Sequence, residues 1–524
     1  MGQLATVEYV PVSRAKPHEA ALGAWLTAWR VAAWVAVGVG IGFASFLRVW
    51  KLDALGYNSD EAVYAGQAAS IAQVDELTPF FPIFRAHPLL FQTLHSLGYR
   101  IWDADLLGRL LATGFGFGTI ILVYKLGTLL YGRKAGAIAA VFFALMPYSV
   151  VVSRQVLLDG PTTFFATLAL YLLARYAHTG GRAWLYAAGT GMGLAVLGKE
   201  TSILMVGACY AFFALSPELG ARLRDLAVAF ALMFAVISVH LITPKLAGAP
   251  ESGGNYLAYQ LFRRPNHGWT FYMATVPLAI GLLVVAAAIA GIWLLRREVS
   301  WRETLLLSWI VVPALFFQLY PVKGFQYLLP IAPAVAVLAG RTLGRWSPPR
   351  DLMGIPRTWI GPGIAVGVAL SLAIPTYQRI QPSLSDTFLA GSGGVPGGRE
   401  VGHWIRDNVP EGAQLLTVGP SMANIVQFYG HRRAYGLSVG TNPLRRNPSY
   451  DPLANPDLSI RTNDVQYVVW DAFSASRSAF FSNKLLAYAR RYNGRAVRTE
   501  TMLVKTRSGL QVRKPLIVVY AVRP

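Results

Sequence analysis

The chain has 524 residues, of which 54% are hydrophobic and only 14% charged, and its mean hydropathy is +0.42. A soluble domain carries roughly 25% charged residues, so this composition excludes an ordinary soluble enzyme and fits a protein built for lipid. The net charge of +21 invites a nucleic-acid reading, but its distribution argues for no nucleic-acid partner, because Lys and Arg cluster in alternate loops between apolar segments.

A spanning helix needs about 20 predominantly apolar residues. In chain order about eleven segments qualify, at roughly 27–47, 107–130, 134–153, 160–177, 183–198, 201–216, 225–243, 273–295, 303–320, 325–341 and 358–376. The fifth and sixth meet at the tripeptide GKE, so the count holds to within one either way. The start, MGQLATVEYVPVSRAKPHEA, is polar and no small-residue cleavage site follows a short apolar core, so the first span is expected to stay in the protein. Basic clusters at Arg14/Lys16/Arg30, Arg133/Lys134, Arg175/Arg182, Arg222/Arg224, Arg296/Arg297/Arg302 and Arg341/Arg345/Arg350/Arg357 mark the cytoplasmic loops. The expected protein is a multi-pass plasma-membrane protein with a cytoplasmic N-terminus. Its single cysteine, Cys209, lies mid-span, so it forms no intramolecular disulfide and reads as a buried structural thiol.

The remaining loops, about 48–106, 153–160, 198–200, 244–272 and 320–325, then face outward. After the last span the character changes. From about 377 to 524, β-rich runs such as AQLLTVG, VQYVVWD and PLIVVYAV alternate with helical stretches such as REVGHWIRDN and NKLLAYARRY. This predicts a small α/β domain, placed outside by an odd number of spans and joined through the flexible stretch GSGGVPGG at 391–398. The fold class is thus a polytopic α-helical membrane protein, residues 1–376, with a C-terminal extracytoplasmic α/β domain, residues 377–524.

The outer loops carry the chemistry. The first contains YNSDEAVYAG, in which Asn58 and Glu61 are spaced as a capping box and Asp60 adds a second acid to the first helical turn. A helix starting there puts Tyr64 on the same face as Asp60, one turn on. An acid and a phenol beside a membrane-level cavity suit proton abstraction from a hydroxyl. Further along, RAHPLL offers Arg85 and His87, SRQVLLDGP offers Arg154 and Asp159, and GKETS offers Lys199 and Glu200. YPVKGFQYLLP offers Lys323 between Tyr320 and Tyr327. Ionisable residues at this depth are costly and mark function by default. Several cations and a carboxylate pair converging on one face suggest an anionic, phosphate-bearing ligand.

These pieces, in this order, resemble the multi-spanning GT-C glycosyltransferases, closest to the protein O-mannosyltransferase and aminoarabinose-transferase branch. The resemblance rests on DEAVY, on HPLL in place of a Pro-Pro-Leu, on the run GRLLATGFGFGTIILVYKLGTLLYGRKAGAIAAVFFALMPYSVVVSRQVLLDGP, on GLAVLGKE and on KGFQYLLPIAP, covering most of residues 45–340. It implies transfer of a sugar from a polyprenyl-phosphate carrier to an acceptor hydroxyl on a protein, lipid or glycan outside the cytoplasm, with membrane lipids around the carrier tail. It implies Asp60 as base with inversion, Glu61 beside it as helix cap or donor-orienting group, and Arg85, His87, Arg154, Lys199 and Lys323 as cations for the leaving phosphate. Tyr64, Asp159, Glu200, Tyr320 and Tyr327 would support them. Where relatives carry an acid or lysine beside the Pro-Pro motif, this chain reads Arg85-Ala86-His87, and Leu89 replaces the second proline. This reading assigns no cofactor, and it leaves room for a divalent metal shared by Asp60, Glu61 and His87. Two other readings stand beside it: a transporter or flippase of a lipid-linked substrate, and a non-catalytic subunit retaining the GT-C scaffold. No inverted repeat supports the first, and the intact Asp60-Glu61 pair weighs against the second.

Overall fold

The computed structural model describes residues 17–101, 104–247, 259–260, 262–346, 357–381, 396–443, 446–505 and 510–524. The basic residues Arg14, Lys16 and Arg350, most of the stretch 391–398 and part of the loop 244–272 lie outside the described residues.

Among the described residues, seven helices are long and apolar enough to cross a membrane: Val31–Val49, Asp105–Tyr131, Leu223–Leu246, Phe271–Leu294, Trp301–Leu319, Phe325–Arg345 and Ile360–Arg379. The number becomes eight if the bent pair Arg133–Leu145 and Pro147–Ser153, angled at 59°, counts as one span. About eleven were expected from apolar runs, and the difference has local causes. Pro147 removes a backbone donor and forces Met146 into an extended conformation (φ −60°, ψ 127°), which breaks the expected span 134–153. The expected spans 160–177 and 183–198 form the helices Asp159–Thr179 and Arg182–Gly198, of 21 and 17 residues. The expected span 201–216 splits into a tight turn, Glu200–Ile203, and an 11-residue helix, Leu204–Ala214. At 1.5 Å per residue that last helix reaches only about half of a bilayer core.

Small residues let the helices approach closely. A Cβ on Gly127 would lie 2.8 Å from the Cα of Gly136, and one on Gly340 would lie 2.5 Å from the carbonyl of Ala135. Such contacts replace the hydrophobic drive that lipid does not supply between apolar helices.

The C-terminal residues form a mixed five-stranded sheet. Its strands are β1 (Gln414–Thr417), β2 (Ala434–Gly436), β3 (Val465–Asp471), β4 (Arg495–Lys505) and β5 (Gln511–Ala521), in the order β2-β1-β3-β5-β4. β1 runs parallel to both neighbours, and β5 runs antiparallel to β3 and β4. Side chains alternate between faces along a strand. Leu415 and Val469 therefore join one core with the helices Gly398–Asn408 and Pro420–Gly430, while Leu416 and Val468 join another with the helix Ala479–Arg491.

The first of those cores does not stop at the sheet. It continues through Tyr57, Ala62, Ala65, Phe81 and Phe91 of the loop after the first helix, so loop and sheet layer share one apolar interior. Polar contacts fix the seat. Tyr429 Oη accepts from the backbone N–H of Tyr57 at 2.9 Å, Asn424 donates to the Ser59 hydroxyl at 3.0 Å, and Arg399 pairs with Asp53 at 2.8 Å.

Candidate active site

The helix Ser59–Ile71 is set by its first turn. Asn58 accepts from the amides of Asp60 at 2.9 Å and Glu61 at 3.0 Å, and the Glu61 carboxylate accepts from the Asn58 amide at 3.0 Å. This is the capping box read from NSDE. The two acids then part. Glu61 is fully buried and grips Arg109 through two bonds, Nε to Oε1 at 2.9 Å and Nη2 to Oε2 at 3.1 Å, while also accepting from the Val156 amide at 3.0 Å. Arg109 ties down the chain entering the helix by donating to the carbonyls of Leu52, Leu55 and Gly56.

Asp60 turns the other way, into a cavity of about 440 Å³. Its carboxylate makes no hydrogen bond or ion pair among the described residues. The surrounding protein raises its pKa above the usual 3.8 by desolvation, and Asp159 and Glu61 push the same way against the pull of Lys199 and His87.

The cavity collects most of the expected residues. Tyr64, Arg85, His87, Asp159, Lys199, Glu200, Tyr320 and Tyr327 line it with Asp60. Lys199 pairs with Asp159 at 2.9 Å, and His87 Nδ1 lies 2.9 Å from Glu200 Oε2. The Lys199 ammonium also sits 5.7 Å from the Tyr327 ring centre. Arg85 is 8% exposed and donates through Nε and Nη2 to the Ser449 carbonyl, at 2.9 and 2.5 Å, while its buried Nη1 has no partner. Leu157, Ile203, Leu204, Phe316 and Phe317 add apolar lining.

Three expected residues point elsewhere. Glu61 is the anchor just described. Arg154 donates to the carbonyls of Leu47, at 2.6 Å, and Lys51, at 3.3 Å, where the first helix ends and its backbone acceptors lack partners. Lys323 does the same for the helix Trp301–Leu319, reaching the Gln318 carbonyl at 2.7 Å and that of Tyr320 at 3.2 Å. Among the described residues no three His, Cys, Asp or Glu side chains converge to hold a metal ion. Asp60, Glu61 and His87 do not form such a set, because both Glu61 oxygens face Arg109.

The cavity also has lining that the sequence reading did not name. Gln260 and Arg263 come from the loop before the helix Phe271–Val276, and Asn447, Ser449 and Tyr450 come from the C-terminal layer. Arg109 carried a legible signal, being an arginine in an apolar run that needs an acid partner. Nothing in the sequence around Ser449 points to the site.

The chain was compared with known proteins. A family profile described as dolichyl-phosphate-mannose-protein mannosyltransferase matches residues 86–245. An uncharacterised protein of Aquifex aeolicus (strain VF5) is 26% identical over 311 residues, a match spanning 56% of this chain and 61% of that protein. Among solved structures, ArnT from Cupriavidus metallidurans in the apo state superposes with a TM-score of 0.66 at 17% identity, covering 94% of this chain and 98% of ArnT. Its form bound to undecaprenyl phosphate gives 0.66 at 16% identity, with 95% and 98% covered. The fold is that of the GT-C glycosyltransferases. An oligosaccharyltransferase of Archaeoglobus fulgidus, in complex with zinc and sulfate, also superposes, with a TM-score of 0.56 at 16% identity over 91% of this chain and 72% of that one. The GT-C resemblance read from DEAVY, HPLL and GKE thus holds at the level of fold.

Proposed function

We propose that this protein is a membrane glycosyltransferase that moves a sugar from a polyprenyl-phosphate carrier to an acceptor hydroxyl on the outer face of the membrane. The observation that carries the reading is the Asp60 carboxylate, without a hydrogen-bond or ion-pair partner among the described residues, facing a cavity that Lys199, His87 and Arg85 also line. The undecaprenyl phosphate bound by the ArnT of the same fold supports the choice of carrier.

In this reaction the acceptor oxygen attacks the anomeric carbon and its proton passes to Asp60. The bond from that carbon to the phosphate oxygen breaks, and the electron pair leaves with the polyprenyl phosphate. Attack from the face opposite the phosphate inverts the anomeric configuration. Negative charge grows on the departing phosphate, where preorganised cations stabilise the transition state. Lys199 supplies one, His87 adds a ring N–H donor, and Arg85 supplies a second. Asp159 and Glu200 hold Lys199 and His87 in place, and the apolar lining of Ile203, Leu204, Phe316 and Phe317 receives the start of the isoprenoid tail. Glu61 and Arg109 act as positioning residues for the helix that carries Asp60. The basic loops face the cytoplasm on this reading, and the C-terminal layer lies outside with the site.

The purified protein should be incubated with a panel of polyprenyl-phosphate sugars and a cell-envelope extract. Release of free polyprenyl phosphate, with a product of inverted anomeric configuration, is the expected result. Binding of the carrier without turnover of any donor would overturn the reading in favour of a transporter or a non-catalytic subunit.

A further inference from the structure

A second cavity, of about 290 Å³, lies between the loop residues 78–85 and the helix Pro420–Gly430 with strand β2. It shares a wall with the first, since Arg85, Ser449 and Tyr450 line both. That wall is stiff. Arg85 is bound to the Ser449 carbonyl, and its guanidinium stacks on the Tyr450 ring at 5.0 Å.

The lining of the second cavity has a definite chemistry. Tyr435 offers an aromatic ring and Gln427 an amide that both donates and accepts, while the Arg433 guanidinium lies 6.0 Å from the Phe80 ring centre and Asn424 is engaged by Ser59. The lining holds one ion pair and one further guanidinium, that of Arg85. Arg433 lies 3.6 Å from Asp451 and donates to the Pro79 carbonyl, while two Arg85 donors go to Ser449. A lining of amide, guanidinium and aromatic groups suits a polyhydroxyl ring. The ring's C–H face meets the negative face of an aromatic, and its hydroxyls need mixed donors and acceptors.

We infer that this cavity is an acceptor subsite, holding the sugar unit next to the one whose hydroxyl is glycosylated, so that the acceptor is a glycan. The inference rests on the proposed transfer reaction and names its acceptor class. Binding a unit remote from the reacting centre is a source of energy for positioning the reacting hydroxyl at Asp60, in the adjoining cavity.

The test uses the full-length protein carrying Asp60→Asn, so that binding is read without turnover. Probes are a short α-mannan, a short arabinan, chitobiose and a serine-rich peptide, each titrated calorimetrically. At least one oligosaccharide should bind. Gln427→Ala and Tyr435→Ala, each added separately, should weaken that binding about tenfold or more, and Tyr435→Phe should restore it. In the otherwise native enzyme the same substitutions should raise the KM for the glycan acceptor, with the donor KM and the rate of donor hydrolysis by water unchanged. Binding of the peptide alone, or glycan binding unaffected by Gln427→Ala and Tyr435→Ala, would overturn the subsite even if the enzyme transfers sugar. Glycan binding lost in those variants, with no donor ever turned over, would uphold the subsite while defeating the transferase reading.

Discussion

The carboxylates of Asp60 and Glu61 leave the same helical turn in opposite directions, and their environments assign them different work. Glu61 is buried against Arg109 with every oxygen engaged, so removing it strands a buried cation. Breaking a buried pair in this way costs about 3–5 kcal/mol. Glu61→Ala should therefore lower the thermal unfolding midpoint in detergent sharply, and a near-native midpoint would show that the pair does not hold the helix. Asp60 faces the open cavity without a direct partner, and the protein packed around it shifts its pKa above the ordinary value. A carboxyl whose folded pKa is raised contributes stability below its unfolded pKa and loses it as pH rises through the folded value. At neutral pH its charge thus opposes folding, and Asp60→Asn should unfold at the same or a higher temperature than the native protein. The same shift sets the acid limb of the pH–rate profile. The base fails once protonated, so activity should fall as pH drops through a pKa above 3.8, and a limb at or below that value would contradict the assigned environment.

At the scale of elements, the site stands on helix ends. The Asn58 cap starts the helix that carries Asp60, while Arg154 and Lys323 close the ends of two spans. Asn58→Ala should cost about 1 kcal/mol of stability, checked by chemical unfolding of the purified protein, and should lower turnover because the cap aims Asp60. The cap was legible because its signal is local: an Asn with a Glu three residues on. Apolar runs likewise revealed most of the spans. The break before Pro147 was missed because the flanking residues are uniformly apolar, and hydropathy does not register a bend. Arg154 and Lys323 were legible as ionisable residues near lipid, but not as helix-end donors, because the carbonyls they reach carry no sequence label.

Across the whole molecule, the site is closed by residues that the chain brings together from far apart. Arg85 meets Ser449 across 364 positions, and Glu61 meets Arg109 across 48. Sequence order and short motifs pointed to the GT-C fold and to Asp60, His87 and Lys199, because polar residues between apolar spans are few. The contribution of the C-terminal layer followed from none of them. It depends on how the sheet and its helices seat on the first loop through Tyr57, Phe81 and Tyr429. Orientation is testable at this scale. With Cys209 replaced, a cysteine at Asp464 should react with an impermeant reagent added to intact cells, and one at Arg296 only after permeabilisation. The reverse pattern would invert the topology drawn from the basic loops.

The most direct measurement compares native protein and Asp60→Asn in single-turnover transfer from a polyprenyl-phosphate sugar, with carrier binding measured in parallel. The account predicts that the variant binds the carrier as the native protein does and transfers about 10²–10⁴-fold more slowly. Transfer at the native rate by a folded Asp60→Asn protein would contradict it.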